Sequence, residues 1–464
     1  MIDRRFCINP SNIIDIQVKE ELYVLHSKTK WTTGQPAVHA AEMLAKELNI
    51  SRFAAQLLTA RGVRSSSQAA SFLGEGRSYD PLFLKGMKEA ADRIQAALSR
   101  NEKIRIYGDY DADGVTSTAI MIFLLQRLGA DFDYYIPHRF HEGYGLNKAA
   151  IDDAKEAGVS LIVTVDNGIS AVEEIDYANQ SGIDVVVTDH HEPPEVLPQA
   201  CAIVNPKQPG CSYPFKSLAG AGVALKLAQT LLDDGIPNSF LELAALGTIA
   251  DIMPLIDENR WIVRRGLKAI NSSELPGMQA LLRVSGLEGK PVSATQAGFA
   301  LGPRINASGR LGHADLAVRL LTAQHHEEAE AYAQELDQLN KERQRIVQQT
   351  TDEAIAKLEQ SADKDNPILL IHDEQWNEGV IGIVASKLLE KYSRPAIVFS
   401  IDAESGLAKG SARSVPGFSI YEALKSCEDL LEHYGGHDAA AGMTVRADQL
   451  PDLQERLNQI AYSA

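Results

Sequence analysis

Asp109-Tyr110-Asp111-Ala112-Asp113-Gly114 sets carboxylates at alternate positions along one short stretch. Residues 103–107 before it, Lys-Ile-Arg-Ile-Tyr, alternate and are β-branched, the pattern of a short strand. Residues 115–128 after it are apolar at helical spacing and open with Thr116, Ser117 and Thr118. The acids therefore sit on a strand-to-helix turn, with no basic residue among them. Carboxylates crowded in this way repel one another, and a divalent cation with a preference for hard oxygen ligands is the simplest means of holding them together. The same spacing opens an EF-hand calcium loop, which needs a bidentate Glu at its twelfth position. Counting from Asp109, that position is Ile120, inside the apolar helix, so calcium of that kind is excluded. A solvated acidic turn is the competing reading of the stretch alone, and the rest of the chain decides between them.

From residue 103 the pattern runs strand, helix, strand, and repeats. Residues 132–136, 160–165 and 184–188 read as strands, and residues 148–157 and 171–180 as helices. Strands alternating with helices give a mostly parallel sheet covered on both faces, with ligands bound beyond the carboxyl ends of the strands. The first strand leads into Asp109, Asp111 and Asp113. The strand ending at Val165 leads into Asp166, and the strand ending at Thr188 into Asp189, His190 and His191. Acids and histidines recurring at one rim are not explained by solvation. Residues 218–232 and 240–249 read as helices, the second delivering Asp251 at its end. Residues 302–312 read as a glycine-rich loop carrying Arg304, Asn306 and Arg310.

Residues 325–360 read as one long polar helix bridging two domains, with His325 and His326 as solvated residues at its start. Beyond it the α/β pattern returns, with strands over 368–371 and 396–399 and a helix over 380–391. Ser411 and Arg413, then Gly435, Gly436 and His437, follow near the end of the chain. Residues 31–75 read as short helices, one starting at a Ser51 N-cap, and the first thirty residues as a loose arm. The expected fold is thus α/β: a mostly parallel sheet joined by a long helix to a smaller α/β domain.

The chain of 464 residues is long enough for two or three domains. A net charge of −17 argues against coating nucleic acid by bulk charge, though not against a basic groove beside an acidic centre. No apolar run approaches the ~18 residues of a membrane span, and the N-terminus carries no signal-peptide pattern. Cys7, Cys201, Cys211 and Cys427 are scattered, which suits a reducing, cytoplasmic setting and leaves metal ligation to Asp and His.

Asp and His without Cys suit Mn²⁺ or Mg²⁺. Five or six such ligands are too many for one ion that keeps waters, so two ions ~3.5–4 Å apart are expected, the arrangement that serves phosphoryl transfer. Arg413, Ser411 and the backbone N–H groups around Gly435 and Gly436 can grip phosphate oxygens, and Arg304 and Arg310 can do so from the first domain. There is no Gly-x-x-x-x-Gly-Lys-Ser/Thr loop and no Ser-His-Asp nucleophile pattern.

Asp109 to Gly114, Val165 to Gly168, Asp189-His190-His191 and Gly247 to Asp251 resemble the four successive motifs of the DHH phosphoesterase superfamily. The segment Gly302 to Arg310 and the region of Gly435-Gly436-His437 are similar to the RecJ family within it. The resemblance runs from about Trp31 to the C-terminus. It implies a DHH catalytic domain (76–324), a connecting helix (325–362) and a DHH-associated substrate-binding domain (363–464), after an N-terminal region of arm and short helices (1–75). It implies a two-metal exonuclease that cuts single-stranded DNA from the 5′ end in repair and recombination. Asp109, Asp111, Asp113, Asp166, His190 and Asp251 would be metal ligands. Asp189 would orient a histidine, and His191 would face the scissile phosphate. Arg139, Arg310, Ser411 and Arg413 would bind DNA phosphates, the last two near the 5′ end, with His437 completing the site. Partners implied are single-stranded DNA, a single-strand-binding protein and a helicase, with no membrane. Family members usually carry an OB-fold domain after the small domain, and the sequence stops at Ala464; a truncated or short member with weaker DNA binding is expected.

Two other readings compete. One is a DHH phosphodiesterase acting on short oligonucleotides, cyclic dinucleotides or pyrophosphate. The other is a binding protein that kept the fold and lost catalysis, which would show a broken metal set.

Overall fold

The structure, a computed structural model, describes residues 37–74 and 76–463, so the expected arm over the first thirty residues lies outside the described part. These residues fall into two compact units that divide after Ala69. In the first, helices Val38–Glu47 and Arg52–Ala60 bury Ala41, Leu44, Ala55 and Leu58. Ser51 caps the second helix as expected, its hydroxyl accepting from Ala54 N at 3.1 Å.

The second unit is built on two sheets. The larger has the order β2-β1-β3-β4-β5, from strands β1 (Lys103–Tyr107), β2 (Phe132–Tyr135), β3 (Val159–Val165), β4 (Asp184–Thr188) and β5 (Ala202–Val204). Every pairing in it is parallel. Both faces are buried, as parallel sheets require. Ile104, Ile106, Val163 and Val165 face one core, shared with helices Met87–Ser99, Ala112–Arg127, Gly220–Leu231 and Asn238–Ala250. Tyr107, Ile162, Val185 and Val187 face another, under helices Lys148–Glu156 and Val172–Gln180. Helix Ala112–Arg127 is buried almost all round, because it lies between the sheet and helices Gly220–Leu231, Asn238–Ala250 and Asp315–Thr322.

The smaller sheet has the order β6-β7-β8-β10-β9, from β6 (Leu369–Asp373), β7 (Ala396–Asp402), β8 (Leu407–Arg413), β9 (Leu431–His437) and β10 (Ala440–Arg446). Its first pair is parallel and the others antiparallel. Helix Ile381–Tyr392 covers one face through Val384 and Leu388, and Leu450–Ser463 covers the other through Leu453 and Leu457.

Helix His326–Gln360 bridges the two cores. Ala329, Ala333 and Leu336 pack in the large core, while Ala354 and Leu358 pack under the small sheet. At 1.5 Å per residue it spans roughly 50 Å. His325 and His326 are exposed, as expected.

One expectation is overturned. Residues 302–312, read as a loop, form helix Gly302–Leu311, entered through a π-helical turn at Ala297–Leu301. Pro303 follows that turn within a helical run unbroken from Ala294, and the π-helical stretch accommodates its missing N–H. Its glycines serve close packing, and none interrupts the helix. Among the described residues no helix is long and apolar enough to cross a membrane.

Candidate active site

Register explains why the acids meet. Val165 of β3 lies opposite Thr188 of β4, so the next residues, Asp166 and Asp189, emerge together at one rim. The ladder runs one step further, with Asp166 N donating to Thr188 O and Asp189 N to Val204 O, each at 3.0 Å. Tyr107 of β1 lies opposite Thr164, which brings Asp109 to the same edge. Asp166 takes a left-handed backbone, φ +64°, a conformation that Asp tolerates better than most residues.

The turn after β1 spreads its acids. Asp111 caps helix Ala112–Arg127, its Oδ1 accepting from Asp113 N at 2.9 Å and Gly114 N at 3.1 Å. Asp113 is gripped at the N-terminus of helix Gly220–Leu231 by Gly220 N at 2.6 Å and Ala221 N at 2.9 Å. His190 Nε2 stands among carboxylates, 3.1 Å from Asp166 Oδ1 and 3.7 Å from both Asp113 Oδ2 and Asp251 Oδ2. Three overlapping donor groups result: Asp109, Asp111 and Asp166; Asp113, His190 and Asp251; Asp166, His190 and His191.

The cluster is electrostatically unsatisfied. Burial lifts Asp109, Asp113 and Asp166 well above the ordinary carboxylate range, and neighbouring acids lift each further. Burial and Asp111 push Asp251 up to about 6. Burial and His191 hold His190 down to about 3, which keeps its imidazole neutral and able to ligate. Asp109 Oδ1 and Asp166 Oδ1 are buried without a hydrogen-bond partner. Hard oxygen donors and neutral imidazole, with repulsion that a cation would relieve, fit a pair of divalent ions of the Mn²⁺ or Mg²⁺ kind.

Asp189 is completely buried and differs from its neighbours. Its Oδ1 accepts from His190 N at 2.6 Å, His191 N at 3.1 Å and His191 Nδ1 at 2.7 Å; its Oδ2 accepts from Ile169 N at 3.0 Å. Burial would raise its pKa, but these bonds outweigh it and hold the group below the usual range. The reciprocal effect is on His191. Burial lowers it, the Asp189 bond and charge outweigh burial, and it rises to about 9.

Two cavities flank the cluster. One, of about 630 Å³, joins His191 and Asp189 to Tyr144, Gly435, Gly436 and His437. The other, of about 360 Å³, gathers Arg139, Arg310, Ser411 and Arg413 around Tyr110, a residue of the acidic turn itself. Arg139 lies over the Tyr110 ring at 4.8 Å. Burial and the neighbouring arginines hold Arg310 down to about 10, and burial with Arg139 lowers Arg413.

Two expected substrate ligands are committed elsewhere. Arg304 donates through Nε to Asp337 Oδ1 at 2.9 Å and through Nη1 to Ala300 O at 2.7 Å, tying its helix to the long bridge. Asn306 Oδ1 accepts from Ala112 N at 2.8 Å and so braces the acidic turn. Two residues along a helix are ~200° apart, so the two side chains leave on opposite sides. Tyr144 is absent from the sequence expectations. Its hydroxyl donates to Asp166 O at 3.2 Å and lies 3.1 Å from His191 Nδ1. An aromatic residue between two glycines, Gly143 and Gly145, was the available signal.

Residues 103–248 match the DHH family, N-terminal domain, and residues 365–463 match the DHHA1 domain. The single-stranded-DNA-specific exonuclease RecJ of Escherichia coli is 39% identical over 428 residues, covering 87% of this chain and 74% of that protein. The chain belongs to the RecJ family. RecJ of Bacillus subtilis is 51% identical over 440 residues, 94% of this chain but 56% of that protein. The chain thus spans little more than half the length of that relative. A crystal structure of RecJ from Thermus thermophilus in complex with Mn²⁺ superposes with a TM-score of 0.80 at 34% identity, over 93% of this chain and 62% of that one. A further RecJ structure, bound to manganese, gives a TM-score of 0.72 at 38% identity, over 82% of this chain and 95% of that one.

Proposed function

We propose that this chain hydrolyses phosphodiester bonds of single-stranded DNA from the 5′ end, in DNA repair and recombination, with two bound Mn²⁺ or Mg²⁺ ions. One observation carries the reading: a buried, mutually repelling Asp–His cluster shares its acidic turn with a cavity lined by Arg139, Arg310 and Arg413. A strand with one phosphate among the arginines brings a neighbouring phosphate to the acids.

Asp109, Asp111, Asp113, Asp166, His190 and Asp251 would hold the ions, with Asp113 oriented by two backbone N–H groups. Bound there, the ions supply a nucleophilic water at neutral pH and neutralise charge on the phosphate. The protein's own residues do the positioning. Asp189 holds His191 by Nδ1, and the charged ring is a donor for a phosphate oxygen at the cavity wall. Arg139, Arg310, Arg413 and Ser411 bind the 5′ phosphate. Gly435, Gly436 and His437 complete the cavity on the His191 side. The 5′-to-3′ direction rests on family membership, as do a single-strand-binding protein and a helicase as partners and a cytoplasmic setting.

The test is turnover of a labelled, 5′-phosphorylated single strand beside a dinucleotide and pyrophosphate, each with Mn²⁺ and with EDTA. Metal-dependent release of mononucleotides from the strand supports the proposal. Faster turnover of the dinucleotide supports the short-oligonucleotide phosphodiesterase instead.

A further inference from the structure

Between the acidic turn and the arginine cavity the chain makes a short series of close contacts, and a glycine stands at each. Gly309 lies against the turn: a Cβ there would sit 2.5 Å from Tyr110 O. The next residue, Arg310, meets the small domain. Its Nη1 donates to Gly379 O at 3.1 Å, and a Cβ on Gly379 would sit 2.2 Å from Arg310 O and 3.0 Å from Phe140 Cζ. Gly379 N donates to Asn377 Oδ1 at 2.8 Å, which fixes the loop. Helix Ile381–Tyr392 then begins, and Gly382 in its first turn faces the cavity. A Cβ there would lie 2.9 Å from Ser411 Oγ and 3.1 Å from Arg413 Nη2. The path from Tyr110 to Ser411 and Arg413 thus crosses between domains once, at Arg310 and Gly379.

We infer that Gly379 is a positioning residue: its contact with Arg310 sets the spacing between the acidic cluster and the Ser411–Arg413 cavity, so that a strand gripped by its 5′ phosphate presents its scissile bond to the cluster. This rests on the function proposed above. The physical ground is the 2.2 Å figure. Backbone occupies that space, no side chain can swing aside, and ordinary contact needs a separation of ~3.5 Å or more. An added methyl group must therefore push the small domain's loop away by about 1 Å. Misplacement of that size between reacting groups costs on the order of 100-fold in rate. The change removes no metal-ligating or phosphate-binding side chain, and of those residues Gly379 meets Arg310 alone.

The experiment compares wild type with Gly379→Ala, and with Gly312→Ala as a control whose Cβ would meet nothing nearer than Ser308 O at 3.5 Å. Three quantities are read: kcat on strands with 5′-phosphate and 5′-hydroxyl ends, Kd for the phosphorylated strand in EDTA, and Mn²⁺ affinity. For Gly379→Ala we expect kcat on the phosphorylated strand to fall on the order of 100-fold. We expect the advantage of the phosphorylated over the hydroxyl end to disappear, with Kd and Mn²⁺ affinity within about twofold of wild type. Gly312→Ala should match wild type. Asn377→Ala, which frees the loop without adding bulk, should show the same split to a smaller degree and serves if Gly379→Ala does not fold. An end preference that survives in these variants, or a Kd that weakens in step with kcat, overturns the coupling alone. A wild-type protein indifferent to the 5′ group overturns the phosphate-cavity reading and the coupling with it.

Discussion

His191 Nδ1 lies 2.7 Å from Asp189 Oδ1, and Asp189 is wholly buried while the His191 side chain is 43% exposed. A buried anion thus holds charged, and aims, an imidazole that opens onto the cavity. Asp189→Asn keeps the shape and removes the charge. Losing an orienting partner of this kind typically costs 10–100-fold in activity, and we expect kcat to fall by about that factor with strand affinity little changed. Because Asp189 acts through His191, the Asp189→Asn, His191→Ala double variant should be no slower than His191→Ala alone. Additive losses in that cycle would assign Asp189 a separate role.

Asp166→Asn tests the metal centre more cleanly than an alanine there, because Asn accepts the left-handed backbone of this position, φ +64°. Hydrolysis should fall to background at saturating Mn²⁺. The metal-free protein should melt no lower than wild type, since one of several mutually repelling carboxylates is gone. The rise in Tm that Mn²⁺ gives wild type, a linkage effect of binding to the native state, should shrink sharply. Near wild-type turnover in Mn²⁺ would remove Asp166 from the ligand set.

Much of this centre is legible in the sequence. Parallel strands ending in acids predict a shared rim, and the register of Val165 with Thr188 delivers it. The long bridge was legible because its polar, helix-favouring run is uninterrupted over 35 residues. Residues 302–312 were misread because glycine and proline signal turns locally, whereas here Gly309 answers to the Tyr110 backbone, some 200 positions earlier. The fates of Arg304 and Asn306 hang on which side of that helix each faces. Nothing in the order of residues announces that Asp337 waits for one and Ala112 N for the other. Tyr144 and Gly379 escaped for a related reason, since each acts through a contact made only after the chain has folded.

Arg413→Ala should weaken binding of a 5′-phosphorylated strand by roughly tenfold or more, the value of one charge-assisted contact, and leave Mn²⁺ affinity unchanged. Arg413 donates to Ser411 Oγ at 3.1 Å and to Ala412 O at 2.7 Å, both neutral groups, so its removal uncovers no buried anion. Lysine should restore little, because an ammonium cannot reproduce the planar fork. The dependence of binding on salt should also flatten, by about one phosphate contact. Equal weakening for phosphorylated and hydroxyl ends would take Arg413 out of the 5′ site.

Glu242 offers a prediction about stability that is independent of metal and DNA. It is 2% exposed in helix Asn238–Ala250, with Ser273 Oγ donating to its Oε2. Burial, joined by the charge of Glu274, pushes its carboxyl from 4.5 up to about 7 against the lowering effect of Ser273. Between those two values the folded protein holds a proton that the unfolded chain has released. The native state therefore binds more protons across that window, and stability must fall as pH rises through it. Below about 4.5 both states are protonated, and above about 7 both are ionised with the loss fully present. A shift of this size corresponds to roughly 3 kcal/mol. Glu242→Gln keeps an acceptor for Ser273 and carries no charge, so it should be more stable than wild type at pH 8 and nearly equal to it at pH 4.5. Urea midpoints of the two proteins at those pH values, in EDTA to keep metals out of the comparison, give the answer. A gap between them that stays constant with pH would mean that Glu242 folds as a carboxylate with an ordinary pKa.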